Sequence, residues 1–314
     1  MQESQPTESQ PPVTLPPRRR SLRRSATRIL SILLVLYILG GFGLYFGQGF
    51  LMFPGAFVHD RHEAVVPPGP DREIITLHDV GGHQISAVYG VAEDLHGNPL
   101  SDAKGHATVL FLYGNGDCIA TSMGLFREFR RLGVNVIIPE YVGYPMSSGK
   151  PSEQGCYDTA DAAYSYLVDH QGVDPSQIIV VGRSIGSGPA VDLAVRKTVA
   201  GVATFSGFTS MDEMAQKVVP WYPTKLLCTC HFQNLRKIAE VKCPVFLAHG
   251  TKDDFVPYSM MGRLAAQVKS PLSVVPVDGA DHNNIFGVGG IELMGKFGKF
   301  IESVHQARLP VAAH

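Results

Sequence analysis

The sequence predicts an α/β fold: a mostly parallel sheet flanked by helices, with a small cap or insertion, preceded by one N-terminal transmembrane helix. Three observations lead there. Short apolar runs rich in Val and Ile alternate with segments of helical periodicity, the pattern of repeated strand–helix units. One run, Ile178–Val181, stops at Gly182-Arg183-Ser184-Ile185-Gly186, and small residues suited to starting a helix follow. Near the N-terminus, an arginine block gives way to an uncharged apolar stretch from Ile29 to about Phe53.

The chain of 314 residues holds one large domain plus an appendage, and its net charge of −1 argues against a nucleic-acid surface. The only basic cluster is Arg18, Arg19, Arg20, Arg23, Arg24 and Arg28. The five cysteines, Cys118, Cys156, Cys228, Cys230 and Cys243, have neither zinc spacing nor the density of a disulfide framework, so no metal is expected. Free thiols with at most one disulfide are expected, and pairing of Cys228 or Cys230 stays open.

Residues 1–28 are expected to form a disordered basic N-terminal tail, polar and proline-rich to about residue 17 with little to bury. Residues 29–53 have the length needed to cross a bilayer. A cleavable signal peptide is the rival, since Ile29–Leu39 alone resembles its apolar core. The apolar run continues past it without an Ala-x-Ala site, which favours an uncleaved anchor. The arginines on the near flank place the N-terminus in the cytosol and the domain across the membrane, in a lumenal, periplasmic or extracellular space.

Residues 54–72 read as a linker, and 73–308 as the catalytic domain. Glu73–His78 and Ile85–Val91 flank Gly81-Gly82 as a hairpin. Asp94–His106 is polar and reads as a loop. Ala107–Leu112, Val134–Pro139, Ile178–Val181, Val199–Phe205, Pro244–Ala248 and Leu272–Val277 are near-continuous apolar runs, as strands covered on both faces should be. Helices are expected around Leu125–Leu132, over Asp158–Val168, from the Ser184 turn to about Arg196, and over Ile291–Val304. Residues 209–240 form the expected cap, where Met211, Met214, Val218, Trp221, Leu226 and Leu227 sit among prolines and cysteines.

In a Gly-x-Ser-x-Gly turn between strand and helix, the serine sits in a strained elbow and the glycines admit chain that would otherwise collide. Ser184 is thus the candidate nucleophile. Serine needs a base in hydrogen-bond reach, itself oriented by an acid, and here acid then histidine should follow at later strand ends. His249-Gly250-Thr251-Lys252-Asp253-Asp254 offers the acid, with Asp253 favoured over its neighbour Asp254 because it lies three residues past Gly250. Asp278-Gly279-Ala280-Asp281-His282 offers the base, His282; Asp281 is expected to shape that loop, and His249 to serve its turn. The oxyanion donors expected are the N–H of Ile185, directly after the nucleophile, and that of Asn115 in the turn after Ala107–Leu112, with Gly116 as fallback.

Together these stretches resemble the α/β-hydrolase superfamily, and within it the Bem46-like serine hydrolases related to ABHD-type membrane hydrolases. The resemblance spans about Ile75 to Val304. It rests on Leu112-Tyr113-Gly114-Asn115-Gly116, Glu140-Tyr141-Val142-Gly143-Tyr144, Gly182–Pro189, His249–Asp253 with Val256-Pro257, and Gly279–Asn283. It implies Ser184 as nucleophile, Asp253 as acid, His282 as base, and Asn115 and Ile185 at the oxyanion hole. Tyr113 stands where His is usual, Val142 where Arg is common, and Cys118 follows the oxyanion turn.

The activity expected is acyl-bond hydrolysis through an acyl-enzyme, needing neither metal nor organic cofactor. The resemblance covers esterases, lipases, thioesterases and amidases, and the apolar cap beside an anchor leans the substrate towards acyl esters of lipids. The rivals are peptidase or acyltransferase chemistry from the same residues, a catalytically silent scaffold, and a secreted form if residues 29–53 are removed.

Overall fold

The computed structural model describes residues 19–58, 61–101 and 105–306. Residues 1–18 of the expected disordered tail, three residues of the expected Asp94–His106 loop, and residues 307–308 of the expected domain lie outside it. The described residues fall into two compact units that divide between Phe46 and Gly47.

In the first unit, helix α1 (Arg19–Met52, its last turns belonging to the second unit) starts within the arginine block, ten residues ahead of the apolar run, so residues 19–28 of the expected tail are helical. Leu30, Leu36 and Phe46 are each more than half exposed, and the stretch Arg23–Met52 is long and apolar enough to cross a membrane.

The second unit is built on one eight-stranded sheet in the order β1-β2-β4-β3-β5-β6-β7-β8. It opens with α2 (Gly55–Val58) and α3 (Arg61–Ala64), which lie in the segment expected as a linker, and Ala64 and Val66 there are buried. The hairpin β1 (Glu73–His78) and β2 (Gln84–Gly90) pairs antiparallel, with Gly82 supplying the positive φ of its turn. Then β3 (Thr108–Leu112), α4 (Ile119–Arg130), β4 (Asn135–Pro139), α5 (Glu153–Ser165), β5 (Ile178–Arg183), α6 (Ser187–Arg196) and β6 (Gly201–Phe205) alternate. Pairing is parallel from β4 through β3 and β5 to β8, and β3, β4 and β6 are buried at every position.

Three short helices, α7 (Met211–Val218), α8 (Thr224–Leu227) and α9 (Asn234–Lys237), fill the region expected as the cap. After β7 (Val245–Gly250), α10 (Ser259–Ala265) occupies a stretch for which no element is predicted. Strand β8 (Leu272–Val277) and α11 (Ile285–Gln306, kinked at Gly290) close the chain.

Two expectations need correction. Leu272–Val277 is not a fully buried strand: β8 is the sheet edge, and Leu272 and Val274 are exposed. Helix α5 starts at Glu153, five residues before the predicted start, because the Ser152 side chain accepts the N–H of Gly155 as an N-cap. The last turn of the predicted helix is a π-turn over Tyr166–His170. On one sheet face, Phe205 and Phe246 pack against Phe297 of α11 at ring-centroid distances of 5.5 Å each, holding the C-terminal helix against β6 and β7.

Candidate active site

Strand β5 ends at Arg183, and Ser184 turns the chain with φ 51° before the single 3-10 turn Ser184–Gly186 runs into α6. That φ is unfavourable for a residue with a Cβ by ~1–3 kcal/mol. The crossing of strand and helix forces it: a Cβ on Gly186 would lie 1.9 Å from the Leu112 carbonyl oxygen, and one on Gly182 would lie 2.3 Å from that of Gly186. Only glycine fits at either position. The Ser187 hydroxyl donates to the Ser184 carbonyl across 2.7 Å and braces the turn.

His282, in the loop after β8, brings Nε2 to 2.9 Å from Ser184 Oγ. Its Nδ1 lies 2.8 Å from Asp253 Oδ2, in the loop after β7. A carboxylate only accepts, so Nδ1 carries the proton and Nε2 is left to accept from the serine hydroxyl. The three predicted side chains stand in one hydrogen-bonded line although 98 residues separate the serine from the histidine. All three residues are buried, and the Phe255 ring sits 4.9 Å from the imidazole.

Asp253 lies inside and Asp254 outside, so the choice between the neighbours is resolved by burial. Burial would raise the Asp253 carboxyl. Hydrogen bonds from His249, His282 and the Val256 N–H outweigh it and hold the group well below the usual carboxylate range. His249 touches this carboxylate: its Nε2 is 3.2 Å from Asp253 Oδ2 and 2.9 Å from the Val256 carbonyl oxygen. Both partners accept, so His249 carries its proton on Nε2 and helps to fix the acid. Asp281 shapes its loop, accepting the N–H groups of Asn283 and Asn284 at 2.8 and 3.0 Å.

The turn after β3 lies against Ser184, the Cβ direction of Gly114 reaching within 3.6 Å of Ser184 Cβ. The next peptide is fixed through its carbonyl: Asn115 O accepts the Gly55 N–H at 2.9 Å and the Tyr144 hydroxyl at 2.8 Å. Ile185 occupies the opening turn of the elbow, where N–H groups have no intrahelical carbonyl to bond and the helix favours negative charge.

Two residues here escape the sequence reading. Arg183, the residue before the serine, pairs with Asp117 of the turn after β3 and donates from Nη2 to the His282 carbonyl at 3.4 Å. It therefore ties three loops together, and a charge inside an otherwise apolar strand end is the signal that pointed to a partner. Glu140, at the end of β4, is fully buried, and its Oε2 accepts the Ile119 N–H at 2.9 Å while its other oxygen has no hydrogen-bond partner. Burial pushes its carboxyl up to about 7, against the Ile119 N–H and the Tyr113 hydroxyl, which pull it down.

The unusual Tyr113 is a buried structural group: its oxygen accepts the Tyr141 N–H at 3.2 Å and its ring packs edge-on to Tyr141 at 4.7 Å. Cys118 caps α4, and burial pushes its thiol up, away from nucleophilic character. All five cysteines are free thiols.

Over 234 residues the chain is 31% identical to an uncharacterized protein of Mycobacterium tuberculosis, covering 74% of this chain and 79% of that one. It is 34% identical over 197 residues to human alpha/beta hydrolase domain-containing protein 17B, covering 60% of this chain and 63% of the relative, a little under two thirds of its length. The dienelactone hydrolase family model matches residues 144–283. The chain belongs to the α/β-hydrolase superfamily. As an α/β-hydrolase it shares its fold with the Pyrococcus furiosus esterase Pf2001, at TM-score 0.61, 17% identity and coverage of 76% of this chain and 94% of that one. An α/β-hydrolase from Vibrio vulnificus matches at TM-score 0.59 and 20% identity, over 95% of this chain and 98% of that one. The expected family and fold class are met, and the protein is an enzyme of the α/β-hydrolase type.

Proposed function

We propose that this α/β-hydrolase is a membrane-anchored serine hydrolase that cleaves carboxylic ester or thioester bonds. Its catalytic domain is residues 73–308, with 209–240 as the cap. Ser184 Oγ attacks the acyl carbonyl while His282 Nε2 takes the hydroxyl proton. Asp253 holds the imidazole in the required tautomer and stabilises its charged form. The backbone N–H groups of Asn115 and Ile185 face the developing oxyanion. His282 then passes its proton to the leaving group, and a water molecule, activated by the same nitrogen, releases the acid from the acyl-enzyme.

The observation that carries this reading is the Ser184–His282–Asp253 line, with contacts of 2.9 and 2.8 Å, on a serine held at φ 51°. Helix α1 is the anchor, with the N-terminus cytosolic and the catalytic domain across the membrane, on the strength of the arginines that precede the apolar run. Protease protection in sealed membranes tests that orientation: the domain is digested only after detergent if it holds. The chemistry is tested by rapid mixing with an activated ester. A burst of alcohol release equal to the protein concentration, absent in Ser184→Ala, is expected; folded protein with neither burst nor turnover contradicts it.

A further inference from the structure

The stretch Glu140-Tyr141-Val142-Gly143-Tyr144 stands out in the sequence, and none of the chemical steps uses it directly. Its two tyrosines join Tyr113 in one buried cluster, each 1% exposed, with ring centroids 4.7, 5.4 and 6.0 Å apart. Packing alone would be served as well by phenylalanine. A phenol hydroxyl taken out of water is destabilising unless it is hydrogen-bonded, so the partners of these hydroxyls carry information.

Two of them go to the main chain of the turn after β3. The Tyr141 hydroxyl donates to the Tyr113 carbonyl at 3.0 Å, and the Tyr144 hydroxyl to the Asn115 carbonyl at 2.8 Å. Between them, the Gly114 carbonyl accepts the Asp117 N–H at 3.1 Å. Three successive peptides of the turn thus have their oxygens held. A trans peptide points its N–H opposite to its oxygen, so the directions of the Gly114 and Asn115 N–H groups are set from the carbonyl side. The peptide that carries the Asn115 N–H is flanked on each side by one whose oxygen a tyrosine holds.

The tyrosines are themselves fixed. The Tyr141 N–H donates to the Tyr113 oxygen at 3.2 Å, so these two residues bond each other in both directions. The Tyr113 hydroxyl in turn bonds Glu140, whose carboxyl also accepts the Ile119 N–H that opens α4 at 2.9 Å. Strands β3 and β4 are parallel neighbours, with Leu110 opposite Ile137, so the cluster grows from two adjacent strand ends. Gly55 packs directly on Tyr144, where a Cβ would lie 2.7 Å from Cε1.

We infer that Tyr141 and Tyr144 are positioning residues for the reaction: they hold the turn after β3 so that the Asn115 N–H is aimed, before substrate arrives, at the point where the acyl oxygen gathers negative charge. Donors oriented in advance need no reorganisation as that charge develops. Both hydroxyls act through the backbone of the turn. The inference rests on the proposed hydrolase reading.

Tyr144→Phe removes one oxygen, keeps the ring, and leaves the Asn115 carbonyl bonded to the Gly55 N–H. Tyr141→Phe is its counterpart. Tyr164→Phe is the control, because that hydroxyl donates to the Thr198 carbonyl at 2.9 Å, outside the turn. Full-length protein in detergent is assayed with a soluble short-chain ester, and a thermal melt checks that each variant is folded. A trifluoromethyl ketone with the same acyl chain, which forms an anionic tetrahedral adduct with a reactive serine, is titrated as inhibitor. Tyr144→Phe and Tyr141→Phe should each lower kcat about tenfold with KM within about twofold of wild type, a smaller loss than the ~10²–10³-fold of removing an oxyanion donor itself. The ketone inhibition constant should rise by the factor by which kcat/KM falls, as for an interaction felt only in the transition state. Tyr164→Phe should match wild type. Undiminished kcat in either turn variant, an equal loss in Tyr164→Phe, or ketone affinity that does not follow kcat/KM overturns the inference. Folded wild type that neither turns over ester nor binds the ketone overturns the hydrolase reading instead, and the inference falls with it.

Discussion

The Gly55 N–H donates to the carbonyl oxygen of Asn115 across 2.9 Å, so the chain entering the domain is bonded to the turn beside Ser184. A Cβ at residue 55 would lie 2.6 Å from the Asp117 carbonyl oxygen and 2.8 Å from that of Asn115. The segment expected as a linker thus buttresses the proposed oxyanion turn. Displacing a catalytic group by about 1 Å costs up to ~10²-fold in rate. Gly55→Val is expected to lower kcat for a soluble ester by about ten- to a hundredfold while a thermal melt shows the domain still folded.

Arg183 and Asp117 act as one unit, because the guanidinium joins the turn after β3 to the His282 loop. Arg183→Met and Asp117→Asn should each reduce kcat about tenfold, and the double variant should be no worse than the poorer single one. Additive losses in a double-mutant cycle would separate the two residues.

Asp253→Asn keeps the shape of the acid but offers an amide to His282 Nδ1. The imidazole then loses the partner that sets its tautomer, and kcat should drop on the order of 10⁴-fold. His249→Gln should cost far less, since His282 remains bonded to Asp253; steady-state kinetics on both variants distinguishes the acid from its supporter.

Glu140 gives a pH dependence of stability. Its folded value of about 7 lies above the ordinary 4.5, so the folded state holds the proton more tightly than the unfolded chain. The resulting stabilisation is complete below about 4.5 and is lost as pH rises through about 7. From pH 4.5 to 8 the loss at this site amounts to up to about 3 kcal/mol. Denaturant titration in one detergent should show Glu140→Gln losing less stability than wild type over that interval.

The parts of the fold visible in the sequence are those set by local chemistry. Ile178–Val181 and Ala107–Leu112 read as buried strands because neighbours on both faces leave no place for a polar side chain, and Gly182 and Gly186 mark the elbow by steric necessity. At the edge that logic fails: β8 is as apolar in sequence as β7, yet it has one neighbour and exposes Leu272 and Val274. The start of α5 depends on one serine hydroxyl, which a search for apolar periodicity passes over. Ser184, Asp253 and His282 could be named in advance because each stands just past a recognisable strand. The Arg183–Asp117 pair joins residues 66 apart, and the contact of Gly55 with Asn115 depends on how a proline-containing segment folds back. The charge of Arg183 at an apolar strand end signals a partner without naming it, and the Gly55 contact leaves no local pattern to read.

The central claim is that Ser184 is a nucleophile activated by His282. Purified full-length protein, treated with a fluorophosphonate probe beside folded Ser184→Ala and His282→Ala variants, tests it most directly. Wild type should be labelled at one site and both variants should not. Folded wild type that resists the probe, or Ser184→Ala that still takes it, would contradict the claim.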